Sequence, residues 1–252
     1  MNYLSRRCKS ILPYTAGEQP QDKSYVKLNT NECPYPPSPE VEKTLKEFDA
    51  GSLRLYPDPE NKKLVSAIAA RHGVSPENVF VGNGSDEVLC MCFPAFFDEN
   101  DTVAYADVTY SFYKVWAHMY DVKSKKIPLD DEFKLLASDY LSMDGVKGII
   151  ICNPNAPTGT ALGRLDLLKI VETNPDKIVI VDEAYGEFAS ASVSNRINDY
   201  PNLLVVKTFS KAYALAGARC GYALGNKALI DGLKLVKNSM NSYTVNAPTD
   251  HF

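Results

Sequence analysis

An apolar run, 203–206, reads as a buried strand and leads into Thr208-Phe209-Ser210-Lys211, with Arg219 eight positions beyond the lysine (219 − 211). A long, hydrated lysine at the end of a buried strand is out of place unless it has a task there. One such task is a Schiff base with an aldehyde, because desolvation and nearby cations make the neutral, nucleophilic amine accessible. Ser210 and Arg219 can share a phosphate beside it. Taken alone, the window is equally explained by an ordinary surface lysine.

Three further strand ends carry residues of the same kind. Gly82-Asn83-Gly84-Ser85-Asp86-Glu87 sets glycines and a serine between a strand and a helix start, where free N–H groups and the helix dipole suit a phosphate. A tight strand-helix turn with a Ser/Asp cap reads the same way. Asn153-Pro154-Asn155-Ala156-Pro157-Thr158-Gly159 is a loop dense in constrained residues and fixed amides, as a plain loop can also be. Asp182-Glu183-Ala184-Tyr185 follows the run 178–181, and a carboxylate there is costly unless it is paired, hydrogen-bonded or used. A salt bridge or a helix cap would meet that cost, and so would a protonated ring nitrogen. Tyr110 offers a ring to stack on a flat ligand, and Tyr56, in a proline-flanked loop, offers a phenol. Each feature is ambiguous singly; together they describe one ligand with an aldehyde, a ring nitrogen and a phosphate.

The elements that must position these residues alternate. Strands are expected at 26–28, 79–81, 102–105, 123–129 (polar, so nearer an edge), 146–152, 177–181 and 203–207. Helices are expected at 39–49, 61–72, 88–97, 111–120, 134–143, 164–173 and 228–240. Ser38-Pro39-Glu40 is a sound helix start, and Leu64, Val65, Ile68 and Ala69 form an apolar face ended by Gly73. The alternation predicts an α/β fold with a mostly parallel central sheet flanked by helices, its site beyond the carboxyl ends of the strands.

A chain of 252 residues suits one large α/β domain with part of a second. A net charge of −4 and the lack of a basic run give no reason to expect nucleic acid. No stretch looks like a signal peptide or a membrane span, so the expectation is a cytoplasmic protein. The six cysteines form no CxxC pair and the three histidines have no ligand spacing, so neither a disulfide nor a metal site is assigned.

The motifs at 153–159, 182–185 and 208–225 resemble those of class-II, fold-type I pyridoxal-phosphate (PLP) aminotransferases. Within that class, Leu28-Asn29-Thr30-Asn31-Glu32, Arg54-Leu55-Tyr56-Pro57, 82–87 and 214–222 resemble the histidinol-phosphate aminotransferase family most closely. The resemblance implies that Lys211 binds the cofactor aldehyde and moves the substrate proton. It implies that Asp182 pairs with the pyridine nitrogen, Tyr185 with the ring hydroxyl, and that Tyr110 stacks on the ring. Ser85, Asp86 and Glu87, at the helix start, would hold the phosphate with Ser210 and Arg219. Tyr56 would reach the phosphate of a neighbouring subunit, making a homodimer with shared sites, and Asn31 and Tyr56 would lie on the substrate side. The implied reaction is reversible amino transfer from L-histidinol phosphate to 2-oxoglutarate, with ping-pong kinetics. The implied divisions are 1–50 (arm and part of a small domain), 51–226 (large cofactor domain) and 227–252 (interdomain helix and start of a small domain).

Two departures from the family accompany the resemblance. Where the family has a second asparagine before Pro-Thr-Gly, this chain has Ala156, which leaves Asn155 as the candidate contact. Beyond residue 246 the likeness stops, whereas the family continues into a small domain bearing substrate-binding arginines. The expectation is therefore a truncated chain that binds PLP weakly and transfers amino groups slowly or not at all. The alternatives are a related class-II enzyme, such as a threonine-phosphate decarboxylase or an aromatic aminotransferase, and a non-catalytic PLP-binding fragment. A dehydrogenase is disfavoured, because 82–87 is not GxGxxG.

Overall fold

The computed structural model describes residues 3–11, 13–15, 17–18 and 26–251. The helices, in chain order, are α1 (Arg6–Ser10), α2 (Pro39–Glu47), α3 (Lys62–His72), α4 (Ser85–Phe96), α5 (Phe112–Met119), α6 (Arg164–Thr173), α7 (Lys227–Met240) and α8 (Ala247–His251). The strands are β1 (Val79–Gly82), β2 (Thr102–Ala106), β3 (Lys123–Ile127), β4 (Gly148–Cys152), β5 (Ile178–Asp182), β6 (Leu203–Thr208) and β7 (Gly221–Gly225). They form one seven-stranded sheet in the order β1-β7-β6-β5-β4-β2-β3. The pairs β2–β3, β2–β4, β4–β5 and β5–β6 are parallel, and β7 lies antiparallel to both β6 and β1.

Side-chain alternation sorts the sheet into two faces. Val179, Val181, Leu203 and Val205 pack in one core with Leu64 and Ile68 of α3 and Leu167 and Ile170 of α6. Ile178, Ile180, Leu204 and Val206 pack in the other, with Val88 and Phe93 of α4, Trp116 of α5 and Ile230 and Leu233 of α7. Central strands covered on both faces must be apolar throughout, which is why β4 reads Gly-Ile-Ile-Ile-Cys. Burying each isoleucine contributes about 1.5–3 kcal/mol. β3, with Lys123, Lys125 and Lys126 exposed, is an edge strand as its polarity suggests.

The register brings one end of the sheet to a common level. Cys152 pairs with Asp182, and Thr208 with Gly221, which in turn pairs with Gly82. The carboxyl ends of β1, β4, β5 and β6 therefore open on the same side.

Three expectations fail. Residues 26–28 form no strand; Val26 and Leu28 are exposed and no neighbouring strand edge pairs with them. The helix expected at 134–143 shrinks to a 3-10 turn, Ala137–Tyr140. Its buried residues Leu135, Tyr140 and Met143 do not recur at helical spacing, and Phe133 and Ser142 take left-handed φ values of 58° and 46°. Strand β7 went unread because Gly221 and Gly225 bracket it like a turn. In addition, α4 begins at Ser85, three residues before the expected start (88 − 85), so its first turn lies at the strand end.

Candidate active site

A cavity of about 350 Å³ opens at this end of the sheet, large enough for a cofactor-sized ligand. Ser85, Asp86, Tyr110, Asp182, Tyr185, Ser210, Lys211 and Arg219 all line it, drawn from five separate stretches of sequence.

Part of the lining is the first turn of α4. Helix geometry leaves the N–H groups of Ser85 and Asp86 without intrahelical acceptors, and the helix dipole adds positive potential. Gly221 of β7 lets this turn approach, since a Cβ there would lie 2.2 Å from the Ser85 nitrogen and 2.5 Å from the Gly84 carbonyl carbon. Backbone atoms cannot yield to such a contact. Gly221→Ala is therefore expected to displace the start of α4 and lower stability by about 1–3 kcal/mol, read as a fall in the urea midpoint. Arg219 reaches across, its Nη2 3.4 Å from Asp86 Oδ2, while the other Asp86 oxygen accepts the Tyr110 hydroxyl at 2.7 Å. Ser210 is buried, and its hydroxyl accepts from Thr208 Oγ1 at 3.0 Å. Arginine, serine hydroxyl and free N–H groups in the lining of a cavity make an oxyanion cradle.

Asp182 lines the same cavity and is 2% exposed. Its Oδ2 accepts the Tyr113 hydroxyl at 2.5 Å and its Oδ1 the Ala184 N–H at 3.1 Å. Burial pushes its pKa up to about 6, against those two hydrogen bonds; the charges of Asp86 and Glu183 add to the rise. Among the described residues no lysine, arginine or histidine forms an ion pair with it. A buried carboxylate that faces a cavity without a cation is an expensive arrangement, and a cationic ligand atom would relieve it.

Lys211 lines the cavity as well. Its Nζ donates to the Thr30 carbonyl at 2.8 Å and sits 5.7 Å from the centre of the Tyr185 ring. Burial lowers its pKa, while Asp86 and Glu32 pull the other way. The Tyr185 hydroxyl accepts from Asn31 Nδ2 at 2.9 Å, and burial raises its pKa. Asn31 thus adjoins the cavity through Tyr185 and adopts φ 52°, a conformation asparagine tolerates.

Three anticipated residues stand elsewhere. Glu87 turns back to accept the Asn83 N–H at 2.6 Å and does not line the cavity. Asn155 is buried in its own loop, donating to the Val108 carbonyl and to Thr158 and accepting from Thr109, so its amide braces the loop while Ala156 faces the cavity. Tyr56 is 81% exposed and stacks on Tyr243, with ring centres 4.5 Å apart. The chief residue that sequence reasoning missed is Tyr113, whose position in an apolar helix reads as plain core. Tyr113 stands behind the lining, and Cys152, Thr208 and Thr30, which do line the cavity, gave no signal of their own.

The fold and this site define the class. The family profile of class I and II aminotransferases matches residues 23–249, and the chain belongs to that family. Among curated relatives, histidinol-phosphate aminotransferase of Brachyspira hyodysenteriae is 52% identical over 246 residues, covering 97% of this chain and 69% of that protein. The Marinomonas sp. enzyme of the same name is 52% identical over 243 residues, covering 96% of this chain and 69% of that protein. The crystal structure of histidinol-phosphate aminotransferase from Sinorhizobium meliloti, in complex with pyridoxal-5'-phosphate, aligns with a TM-score of 0.80 at 25% identity. That alignment covers 88% of this chain and 61% of that one, so the present chain spans under two thirds of it.

Proposed function

We propose that this protein is a PLP-dependent aminotransferase that passes the amino group of L-histidinol phosphate to 2-oxoglutarate, giving imidazole-acetol phosphate and glutamate. The observation that carries the cofactor half is the buried Asp182, without a cation among the described residues, in a cavity whose lining also includes an oxyanion cradle. The donor set fits the cofactor group by group: Asp182 for the ring nitrogen, Tyr110 for the ring face, Tyr185 for the ring hydroxyl, and Ser85, Asp86, Ser210 and Arg219 for the phosphate. When bound, PLP supplies the electron sink that makes the substrate's Cα–H acidic. The protein holds the ring charge with Asp182, anchors the phosphate, and places the Lys211 amine where it can take a proton from Cα and return it. Burial favours the neutral amine this needs.

The substrate half of the proposal rests on the relatives named above. Tyr56 belongs to it as well. Exposed on a loop outside its own cavity and stacked on Tyr243, it reaches a neighbouring subunit's cradle in this reading, and the working unit is a homodimer. The division at 51–226 is supported by the sheet, all of whose strands fall between Val79 and Gly225. A cytoplasmic setting goes with a biosynthetic reaction, and among the described residues no helix is long and apolar enough to cross a membrane.

The test compares amino donors on the PLP-loaded protein. Glutamate formation from 2-oxoglutarate should proceed with a kcat/KM for histidinol phosphate about tenfold or more above that for phenylalanine or tyrosine, a difference of about 1.4 kcal/mol in transition-state binding. Faster transfer from an aromatic amino acid, or carbon dioxide release from threonine phosphate without glutamate, would replace this reading with one of its class-II neighbours.

A further inference from the structure

Behind the cavity, on the opposite face of the sheet, lies a buried ionic cluster that the reaction does not use. β6 alternates, so Lys207 points away from the cavity, as does Glu183, the residue directly after Asp182. Lys207 and Glu183 are 3% and 1% exposed. Lys207 Nζ lies 2.9 Å from Glu183 Oε2 and 2.9 Å from Glu187 Oε1. The Glu183 carboxylate also accepts from Ser192 Oγ at 2.7 Å and from the Val193 N–H at 2.9 Å.

One short turn, 183–188, connects this cluster to the cavity. Glu183 begins it, Tyr185 faces the cavity from its middle, and Glu187 closes it. Its backbone is tied by the Glu183 N–H to the Val206 carbonyl and by the Gly186 N–H to the Glu183 carbonyl, each at 2.8 Å. The fit is close: a Cβ on Gly186 would lie 2.8 Å from Glu183 Cβ and 3.2 Å from Lys207 Nζ. Lys207 thus holds both ends of the turn from behind.

Resting on the cofactor reading above, we propose that Lys207, acting through Glu183 and Glu187, is a positioning residue for the cofactor-facing pair Asp182 and Tyr185. It fixes the turn and also balances charge. Adjacent carboxylates buried on the two faces of one strand end repel each other, and Lys207 neutralises the one that does not meet the ligand. The other titratable groups facing Asp182 are Tyr113 from α5, Cys152 from β4, Asp86 and Cys92 from α4, and Tyr110 and Tyr185, none of them a cation among the described residues. On the Lys207 side, His72 and Arg71 from α3 stand nearby, and burial lowers the His72 pKa, with Lys207 and Arg71 adding to the fall.

The test measures PLP dissociation constants and the pH midpoint of the bound cofactor's visible absorbance in folded protein, together with thermal midpoints. The proteins compared are the wild type, Lys207→Met, Glu183→Gln, the double variant and Glu187→Gln. Lys207→Met should weaken PLP binding about tenfold, the equivalent of one pKa unit at Asp182, and more at pH 6 than at pH 8, because the uncompensated Glu183 charge drives Asp182 to keep its proton. Adding Glu183→Gln should restore affinity to within about threefold. Should Lys207→Met not fold, Glu187→Gln remains decisive. Its side chain is partly exposed and the Lys207–Glu183 pair stays intact, and about threefold weaker PLP binding is expected. Lower thermal midpoints with unchanged PLP affinity and absorbance midpoint in these variants would reduce the cluster to a structural one and overturn the proposal. A wild-type protein that forms no PLP adduct would instead overturn the cofactor reading itself.

Discussion

Lys211→Ala should lower the rate of amino transfer about 10⁴-fold or more while leaving the fold intact. The expected size comes from its two tasks, covalent attachment of the cofactor and proton movement at Cα; general acid–base catalysis alone contributes about 10²–10⁴-fold. The fold should survive because Lys211 lies beyond the end of β6 and is only half-buried, its amine making, among the described residues, a single hydrogen bond, to the Thr30 carbonyl. Phosphate and ring contacts remain, so PLP affinity should fall far less than the rate. Single-turnover transfer from an amino donor, followed by the loss of the cofactor's aldehyde form, measures the first effect. A circular-dichroism spectrum measures the second.

Asp182→Asn should have opposite effects on the empty and the loaded protein. In the empty protein the folded carboxyl has its pKa raised by burial from 3.8 to about 6. The folded state therefore holds the proton more tightly than the unfolded chain does. The group's contribution is most favourable below pH 4, declines as pH rises through the interval from about 4 to about 6, and is fully unfavourable above it. A shift of this size corresponds to an order-of-magnitude cost of about 3 kcal/mol at pH 8. Asparagine is uncharged and can keep both neighbours, its oxygen accepting from the Ala184 N–H and its NH₂ donating to the Tyr113 hydroxyl. The variant should thus be the more stable protein at pH 8, with the difference vanishing towards pH 4. Loaded with PLP the order reverses. The ring nitrogen loses its counter-charge, and amino transfer should fall about 10³-fold. Urea midpoints of the two empty proteins at pH 4 and pH 8, with amino-transfer rates for the loaded ones, test both halves. A less stable empty variant at pH 8 would mean that Asp182 is already satisfied without a ligand.

The sheet and the polar residues at its strand ends were legible in the sequence for a common reason. Strands buried on both faces must be continuous apolar runs, so a polar residue ending such a run, as Asp182 does, or following closely on one, as Lys211 does, is conspicuous. What surrounds those groups was less legible, because it is assembled from distant segments. Tyr113 donates to Asp182 from 69 positions away, and nothing in Phe-Tyr-Lys-Val-Trp separates it from core aromatics. Tyr110 lines the cavity as foreseen, yet its bond to Asp86 spans two helical starts that no spacing relates. Asn155 seemed the natural substitute for the absent asparagine at Ala156, but loop geometry turns it inwards, where carbonyl and hydroxyl partners consume its amide. Strand β7 is hidden by its flanking glycines, one of which is small because α4 packs against it. The failed strand at 26–28 and helix at 134–143 make the complementary point. At 26–28 no partner surface covers the apolar residues, whereas at 134–143 Leu135, Tyr140 and Met143 are buried but left-handed turns at Phe133 and Ser142 bound the segment.

The central claim is that Lys211 and Asp182 face a single PLP molecule. Its most direct test is borohydride reduction of the PLP-loaded protein, followed by peptide mapping, with Lys211→Ala treated in parallel. One phosphopyridoxyl adduct is expected, on the peptide bearing Lys211, and none in the variant. An adduct spread over surface lysines, or one that persists undiminished in Lys211→Ala, would contradict it.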